Sequence, residues 1–337
     1  MRSSIKKIVP LILLLLLASC GSLEKGLNSP VRHVFGETSF ANVAWSKDNI
    51  MVFINPGAPM LTAAPNRIIA LGIQPTKLYS FDSLTGELSW EKPGIFPDIL
   101  ATHDSTIYLT NLNSFEAYNT LDGKKIFGVL LPYSGLFTSI NFDEDSIFIY
   151  SANGSFFVLD INGNVVKSTG PNTYPMPYIV NDVTYAGNIE GIIATNTQTG
   201  DLIWQANIPD EGDYTGPYFS EDNIYIRTGG STVPGNVYAI DKHNGAILWK
   251  SDTNAISNVC LLGNNLYFLT LDGYLMVLNR QTGLEVEKLE FSPRPFILPT
   301  AEWRLGGYYV ASDPTNNIIA VSLGDSYQLF ALKITNP

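Results

Sequence analysis

One short module recurs along this chain, and its spacing restricts the fold more than any other feature. An apolar strand leads to an Asp or Asn, a short turn ends in Gly, and a second strand follows. The copies occupy residues 78–90, 115–127, 157–163, 193–204, 237–249 and 275–283. Their glycines fall at 86, 123, 163, 200, 245 and 283, in steps of 37, 40, 37, 45 and 38. The module is built from turn chemistry. A side-chain oxygen of Asp82, Asn119, Asp160, Asn196, Asp241 or Asn279 can accept backbone N–H groups just ahead of it. Glycine then supplies the positive φ that re-enters the next strand. Three copies place a Trp four residues after the Gly, at 90, 204 and 249, a large area for packing between neighbouring sheets. Acid or metal chemistry does not explain these carboxylates, because each recurs where the turn needs it.

A second hairpin precedes each module, turning at His103-Asp104-Ser105, Glu144-Asp145-Ser146, Glu221-Asp222-Asn223 and Gly263-Asn264-Asn265. Each repeat thus holds four short strands rich in β-branched and aromatic residues. No stretch has sustained helical periodicity. Four-stranded repeats of about 40 residues predict an all-β fold, a β-propeller of four-stranded antiparallel blades. Residues 318–332 parallel 266–278, so the last blade ends at its third strand. Its outer strand is then expected from the N-terminus, around residues 42–45, which closes the ring. Six modules and this split blade give seven. Residues 41–55 read alternatively as the hairpin of an eighth.

The N-terminus sets the compartment. Arg2, Lys6 and Lys7 precede an apolar run over 8–17, and small residues lead into Cys20. These are the parts of a secretory signal, and the run is short of the roughly 20 residues a membrane span needs. Leu17-Ala-Ser-Cys20 resembles a bacterial lipobox, which implies lipidation of Cys20 and a leader over 1–19. Gly21, where an Asp would favour the inner membrane, points to the outer membrane facing the periplasm in a two-membrane host, and otherwise to the cell surface. Residues 20–30 are polar and turn-rich, a tether, and the propeller is expected over 31–337. Loss of the leader takes the formal charge from −11 to −14, which argues against nucleic acid. Cys260 lies in an apolar run and reads as a small buried hydrophobe. His33, His103 and His243 are far apart and in no ligand-type spacing, so no metal or cofactor is expected.

Strand direction sorts the loops. The tight module turns share one end of the ring with the first hairpin turns. The second turns and the inter-blade links, longer and rich in aromatics and prolines, share the other. Loops on a rigid scaffold concentrate binding residues, and Tyr-rich clusters suit partner surfaces. Tyr133, Phe137, Tyr174, Tyr178, Tyr214, Tyr218, Phe296 and Trp303 are therefore the candidate face for a protein partner of a monomeric propeller.

The pattern apolar-Tyr-Ala-apolar-Asp-x-x-Thr/Asn-Gly-x-apolar-x-Trp resembles the PQQ-like repeat of quinoprotein-type propellers. Residues 237–249 match best, followed by 78–90 and 193–204. With the lipobox, the chain is similar to the BamB-type outer-membrane assembly lipoproteins. That resemblance implies a non-enzymatic docking scaffold, usually of eight blades. A carbohydrate- or small-ligand-binding surface is the alternative. A quinoprotein dehydrogenase fits less well, because the adjacent Cys-Cys pair typical of those enzymes is missing from the sequence, and fold alone does not carry activity.

Overall fold

Among the described residues, seven groups of four antiparallel strands account for every strand but one of two residues. The computed structural model describes residues 31–50, 52, 60–73, 76–95, 97–111, 113–132, 137–143, 145–151, 155–169, 178–180, 182–188, 191–210, 214–229, 233–297, 307–335 and 337. The leader, Cys20 and the tether lie outside them. Blades 1 to 6 span residues 61–93, 99–130, 137–169, 178–207, 214–255 and 260–292, in chain order. Blade 7 takes three strands from residues 309–334, and its fourth is Ala41–Lys47, paired antiparallel with Gln328–Ile334. The residues that could have begun an eighth blade thus close the seventh. Seven units also differ from the eight that the family resemblance implied. Ahead of the closing strand, Val34–Phe35 adds to the outer edge of blade 6.

Position in the ring decides burial. First strands of blades 7, 1, 2, 3 and 4 touch in succession, as do those of blades 6 and 7, so first strands form the hub. Second strands are flanked by neighbouring blades on both faces and read as continuous apolar runs. Asn265–Thr270 and Ile318–Leu323 are buried at every position. Outer strands diverge, and Leu88–Pro93 and Lys125–Leu130 are mostly exposed.

In blades 1, 2, 4, 5 and 6 the residue after the module's Asp or Asn is where the chain is knitted together. Its N–H donates to the first-hairpin turn of its own blade: Ser83 to Asn66 O, Thr120 to Ser105 O, Thr197 to Asp182 O, Lys242 to Asp222 O and Arg280 to Asn264 O. In blades 1, 2, 5 and 6 its carbonyl accepts the indole N–H of the preceding blade's outer strand. Trp45 Nε1 bonds Ser83 O at 2.8 Å, Trp90 bonds Thr120 O at 2.9 Å, Trp204 bonds Lys242 O at 3.0 Å and Trp249 bonds Arg280 O at 3.2 Å. Each indole lies flat over the next glycine. At Gly245, with φ +75°, an added Cβ would sit 2.5 Å from Trp204 Cε3. Phe127 covers Gly163 in the same way, without an N–H to donate.

Two joints lack this dock. Between blades 3 and 4 the position four residues after Gly163 is Lys167, and the space over Gly200 is open to 4 Å. Between blades 6 and 7 other contacts serve. The Asn258 amide mimics a strand, giving Nδ2 to Val310 O at 2.8 Å and taking Val310 N–H on Oδ1 at 3.0 Å. The joint from blade 7 to blade 1 is doubly held. Buried Asp313 accepts from Ser83 Oγ at 2.6 Å, Asn316 Nδ2 at 3.0 Å and Asn66 N–H at 3.2 Å.

Candidate functional site

The loop end of the ring is built differently from the sequence expectation. Phe137 opens the first strand of blade 3 but is 2% exposed, packed with Phe157 in the joint with blade 2. Phe296, in the link from blade 6 to blade 7, is equally buried among His33, Phe291 and Tyr308. Both are corrections to the candidate face. Near the hub, neighbouring blades are closest, and an aromatic ring there fills the wedge between them instead of meeting solvent. Tyr178 is half-buried against Phe219 of the next blade, and burial pushes its hydroxyl up to about 12.

Tyr218 is 36% exposed, but it stands two residues before the first-hairpin turn of blade 5, towards the tight-turn end. Tyr214 begins that same strand, and its side chain falls outside what the structure describes. Tyr133, Tyr174 and Trp303 lie outside the described residues. Exposed apolar side chains that the structure places at the loop end include Val34, Leu130, Val233 and Ile297.

Two buried polar groups shape that end, and neither was singled out from the sequence. Arg227, 1% exposed, stands next to last in the second strand of blade 5, Asn223–Thr228, directly after three buried apolar residues. It donates Nη2 to Gly229 O at 2.9 Å and Nη1 to Ala255 O at 3.1 Å, holding the start of the 229–235 insertion against blade 5. Burial pulls its guanidinium down to about 10. A charged residue directly after Ile224-Tyr-Ile was the available signal.

His33 is the second. Its Nε2 lies 2.9 and 3.0 Å from the two Asp325 carboxylate oxygens, with both side chains fully buried. Asp325 Oδ2 also accepts Ile297 N–H at 3.0 Å. Gln328 takes His33 N–H on Oε1 at 2.7 Å and returns Nε2 to His33 O at 3.2 Å. The N-terminal segment is thereby strapped across the joint between blades 6 and 7. Nothing local in the sequence signals this, since the partners are nearly 300 positions apart.

The opposite end carries the missed apolar surface. Leu84, Leu121 and Ile161 are exposed in the module turns of blades 1, 2 and 3, and exposed apolar side chains follow the turn in all six module blades, among them Leu88, Ile126, Val165, Leu202, Ile247 and Leu284. The turn positions matching Leu84 and Leu121 in blades 4, 5 and 6 hold Gln198, His243 and Gln281. That contrast at the turn positions was readable from the repeat alignment.

Among the described residues, no three His, Cys, Asp or Glu side chains come together in a metal-binding group. No helix in them is long and apolar enough to cross a membrane. Cys260 is buried on the first strand of blade 6, and burial pushes its thiol up.

A sequence model described as outer membrane protein assembly factor BamB matches residues 39–289, most of this propeller. This chain belongs to the BamB family. Curated relatives bear the same description. The one from Legionella pneumophila is 28% identical over 163 residues, covering 44% of this chain and 41% of the relative. The one from Shewanella oneidensis is 24% identical over 272 residues, covering 70% of this chain and 65% of the relative. The chain therefore spans less than two-thirds of these relatives. Among solved structures, BamB from Moraxella catarrhalis superposes with a TM-score of 0.54 at 15% identity, covering 89% of this chain and 99% of that one. A computationally designed protein, Ika8, gives 0.56 at 13% identity, covering 86% and 98%. At such identities the superpositions establish the fold and nothing more. Within the BamB family this chain forms seven blades among its described residues, with the ring closed by its own N-terminal strand.

Proposed function

We propose that this protein is a non-enzymatic, lipid-anchored docking scaffold that serves outer-membrane protein assembly from the periplasmic side. The family match across residues 39–289 carries the reading. Two features of the geometry and one of the sequence support it. Most joints between blades are locked by indole docks, by Asp313 or by the N-terminal strap, so those blades form a rigid platform. Loops held on such a platform, including the Arg227-anchored insertion, are pre-positioned for a partner at low entropic cost. The Cys20 lipobox would keep that platform on a membrane, since more than one acyl chain anchors stably. The tether at 20–30 would join lipid to ring, and the ring itself would act as a monomer.

The test is site-specific photocrosslinking in the native cell, with the probe at Val233 or Ile297, both exposed at the loop end. Capture of a component of the outer-membrane insertion machinery is expected. Recovery of glycan or lipid adducts alone would overturn the scaffold reading in favour of a ligand-binding module. Cys20→Ser is expected to move the protein from the membrane fraction to the soluble fraction.

A further inference from the structure

Five of the six module glycines lie under an aromatic ring of the preceding blade. Trp45, Trp90, Trp204 and Trp249 cover Gly86, Gly123, Gly245 and Gly283, and Phe127 covers Gly163. Four of these glycines are buried and Gly283 is half-buried. Gly200 is exposed, and a Cβ built on it would meet nothing within 4 Å. Its φ of +77° is like that of the others, so the platform is formed and only the ring is missing. The rest of the dock is in place. Strand register aligns Tyr185, Ala194 and Trp204 across blade 4, and Tyr225, Ala239 and Trp249 across blade 5. In each row the tyrosine ring backs the indole, with centroids 5.8 and 6.0 Å apart. The matching row of blade 3 is Phe148, Val158 and Lys167. Phe148 keeps the backing ring, half-buried and stacked on Phe156 at 6.1 Å, while exposed Lys167 stands where the indole would be. The acceptor is kept as well. Thr197 follows Asn196 as Lys242 follows Asp241, with its N–H bonded to Asp182 O in the same manner, and the four described indoles donate elsewhere. Among the described residues this is also the one joint that no buried apolar cluster bridges. Blades 7, 1 and 2 share one cluster, and blades 2 and 3, 4 and 5, 5 and 6, and 6 and 7 each share another.

We propose that the vacant dock between blades 3 and 4 receives a tryptophan side chain of a partner protein. The ring lies on Gly200, packs against Phe148 and gives its N–H to Thr197 O, repeating between two chains what four indoles do within this one. A charged side chain does not suit the slot, since a glycine face and a phenyl ring leave it desolvated without a partner. A chain segment suits the site better than a free aromatic molecule, because exposed apolar side chains continue on both sides. Val165 and Val166 flank the slot on blade 3 and Leu202 and Ile203 on blade 4, with Val166 70% and Leu202 61% exposed, more than one ring covers. A second copy of this chain suits it less, because the four described indoles are already docked and two copies each carrying −11 repel. The dock stands at the tight-turn end, opposite Val233 and Ile297, so its failure leaves the scaffold reading standing.

The probe is a fluorescein-labelled peptide, Ser-Val-Trp-Val-Ser, titrated with the full chain by anisotropy. Saturable binding is expected. Replacing the peptide's Trp with Ala should weaken it at least about tenfold, as loss of a buried aromatic anchor does. Replacing it with 1-methyltryptophan, which keeps the ring and loses the N–H, should weaken it about fivefold, the worth of one neutral hydrogen bond. Lys167→Trp fills the dock from within the chain and should also weaken binding at least about tenfold, as an occupied anchor pocket does. Ser89→Trp, which adds an indole at an exposed position on the outer strand of blade 1, should leave binding unaltered. Circular dichroism checks that each variant keeps its strands, and the two peptide changes are read on the unaltered protein. Absent binding, indifference to either peptide change, full binding by Lys167→Trp or equal weakening by Ser89→Trp would overturn the proposal. So would a dimer in sedimentation that Lys167→Trp dissolves, which would make the dock an interface between copies.

Discussion

Trp204→Ala tests the physical account of how the blades hold together. The indole is 7% exposed, lies over Gly245 of blade 5 and donates Nε1–H to Lys242 O at 3.0 Å. A buried Trp covers about 200 Å², which at about 25 cal/mol/Å² is about 5 kcal/mol as an upper bound. Large-to-small aromatic truncations in cores cost about 3–5 kcal/mol, so a loss of about 4 kcal/mol is expected. Trp204→Phe keeps most of the ring and loses the hydrogen bond, at about 1 kcal/mol. Phe127 shows that a phenyl ring is accommodated at this position.

The dock also predicts coupling between its two halves. Gly245→Ala meets a left-handed φ of +75°, costing about 1–2 kcal/mol, and a further penalty because its Cβ would fall on the indole. With Trp204 already Ala, that further penalty should vanish and leave the backbone part. Denaturant unfolding of the four proteins, with the slopes compared for two-state behaviour, gives the cycle. A loss below about 1 kcal/mol for Trp204→Ala, against the 3–5 expected of such truncations, would refute the dock. Strict additivity of the two changes would refute it equally.

Other consequences follow from the same contacts. Lys167→Trp places an indole where the joint between blades 3 and 4 has none and where the space over Gly200 is open; a rise in melting temperature is expected, and no change would mean the outer strands there are too far apart. Asp325→Ala strands buried His33 and should cost about 3–5 kcal/mol in denaturant unfolding, as breaking a buried pair does, with increased hydrogen exchange at Val34–Phe35. The Asn164 side chain, then its backbone N–H, hold the Asp160 carboxyl below its ordinary value; at Asp82 burial acts upward but the N–H groups of Thr85 and Leu84 outweigh it. Folded-state values below the unfolded one contribute stability above about pH 4 that is lost as pH falls through the depressed values. Asp82→Asn with Asp160→Asn, which keeps the turn acceptor already used at Asn119, Asn196 and Asn279, should melt near the parent temperature at pH 7 and lose less on acidification. An unchanged acid profile would show that these turns do not contribute.

The fold was legible because its determinants are local and repeated. Turn chemistry at Asp82 and its five counterparts, glycine at the re-entry and alternation along the strands are each encoded within a dozen residues. The closing strand was legible as well, from a last repeat one strand short. The candidate face was not, for a geometric reason. An aromatic residue in a link is equally consistent with a surface and with a wedge between blades, and the spacing of the hub decides which: it buried Phe137 and Phe296. The strap of His33 on Asp325 and the depth of Arg227 depend on contacts that only the closed ring creates. The apolar module turns of blades 1 to 3 lie between the two cases, since Leu84, Leu121 and Ile161 are plain in the sequence while their exposure is not. Sequence periodicity determined the number and kind of strands, and the divergence of blades from hub to rim decided which apolar residues became core and which were left facing solvent.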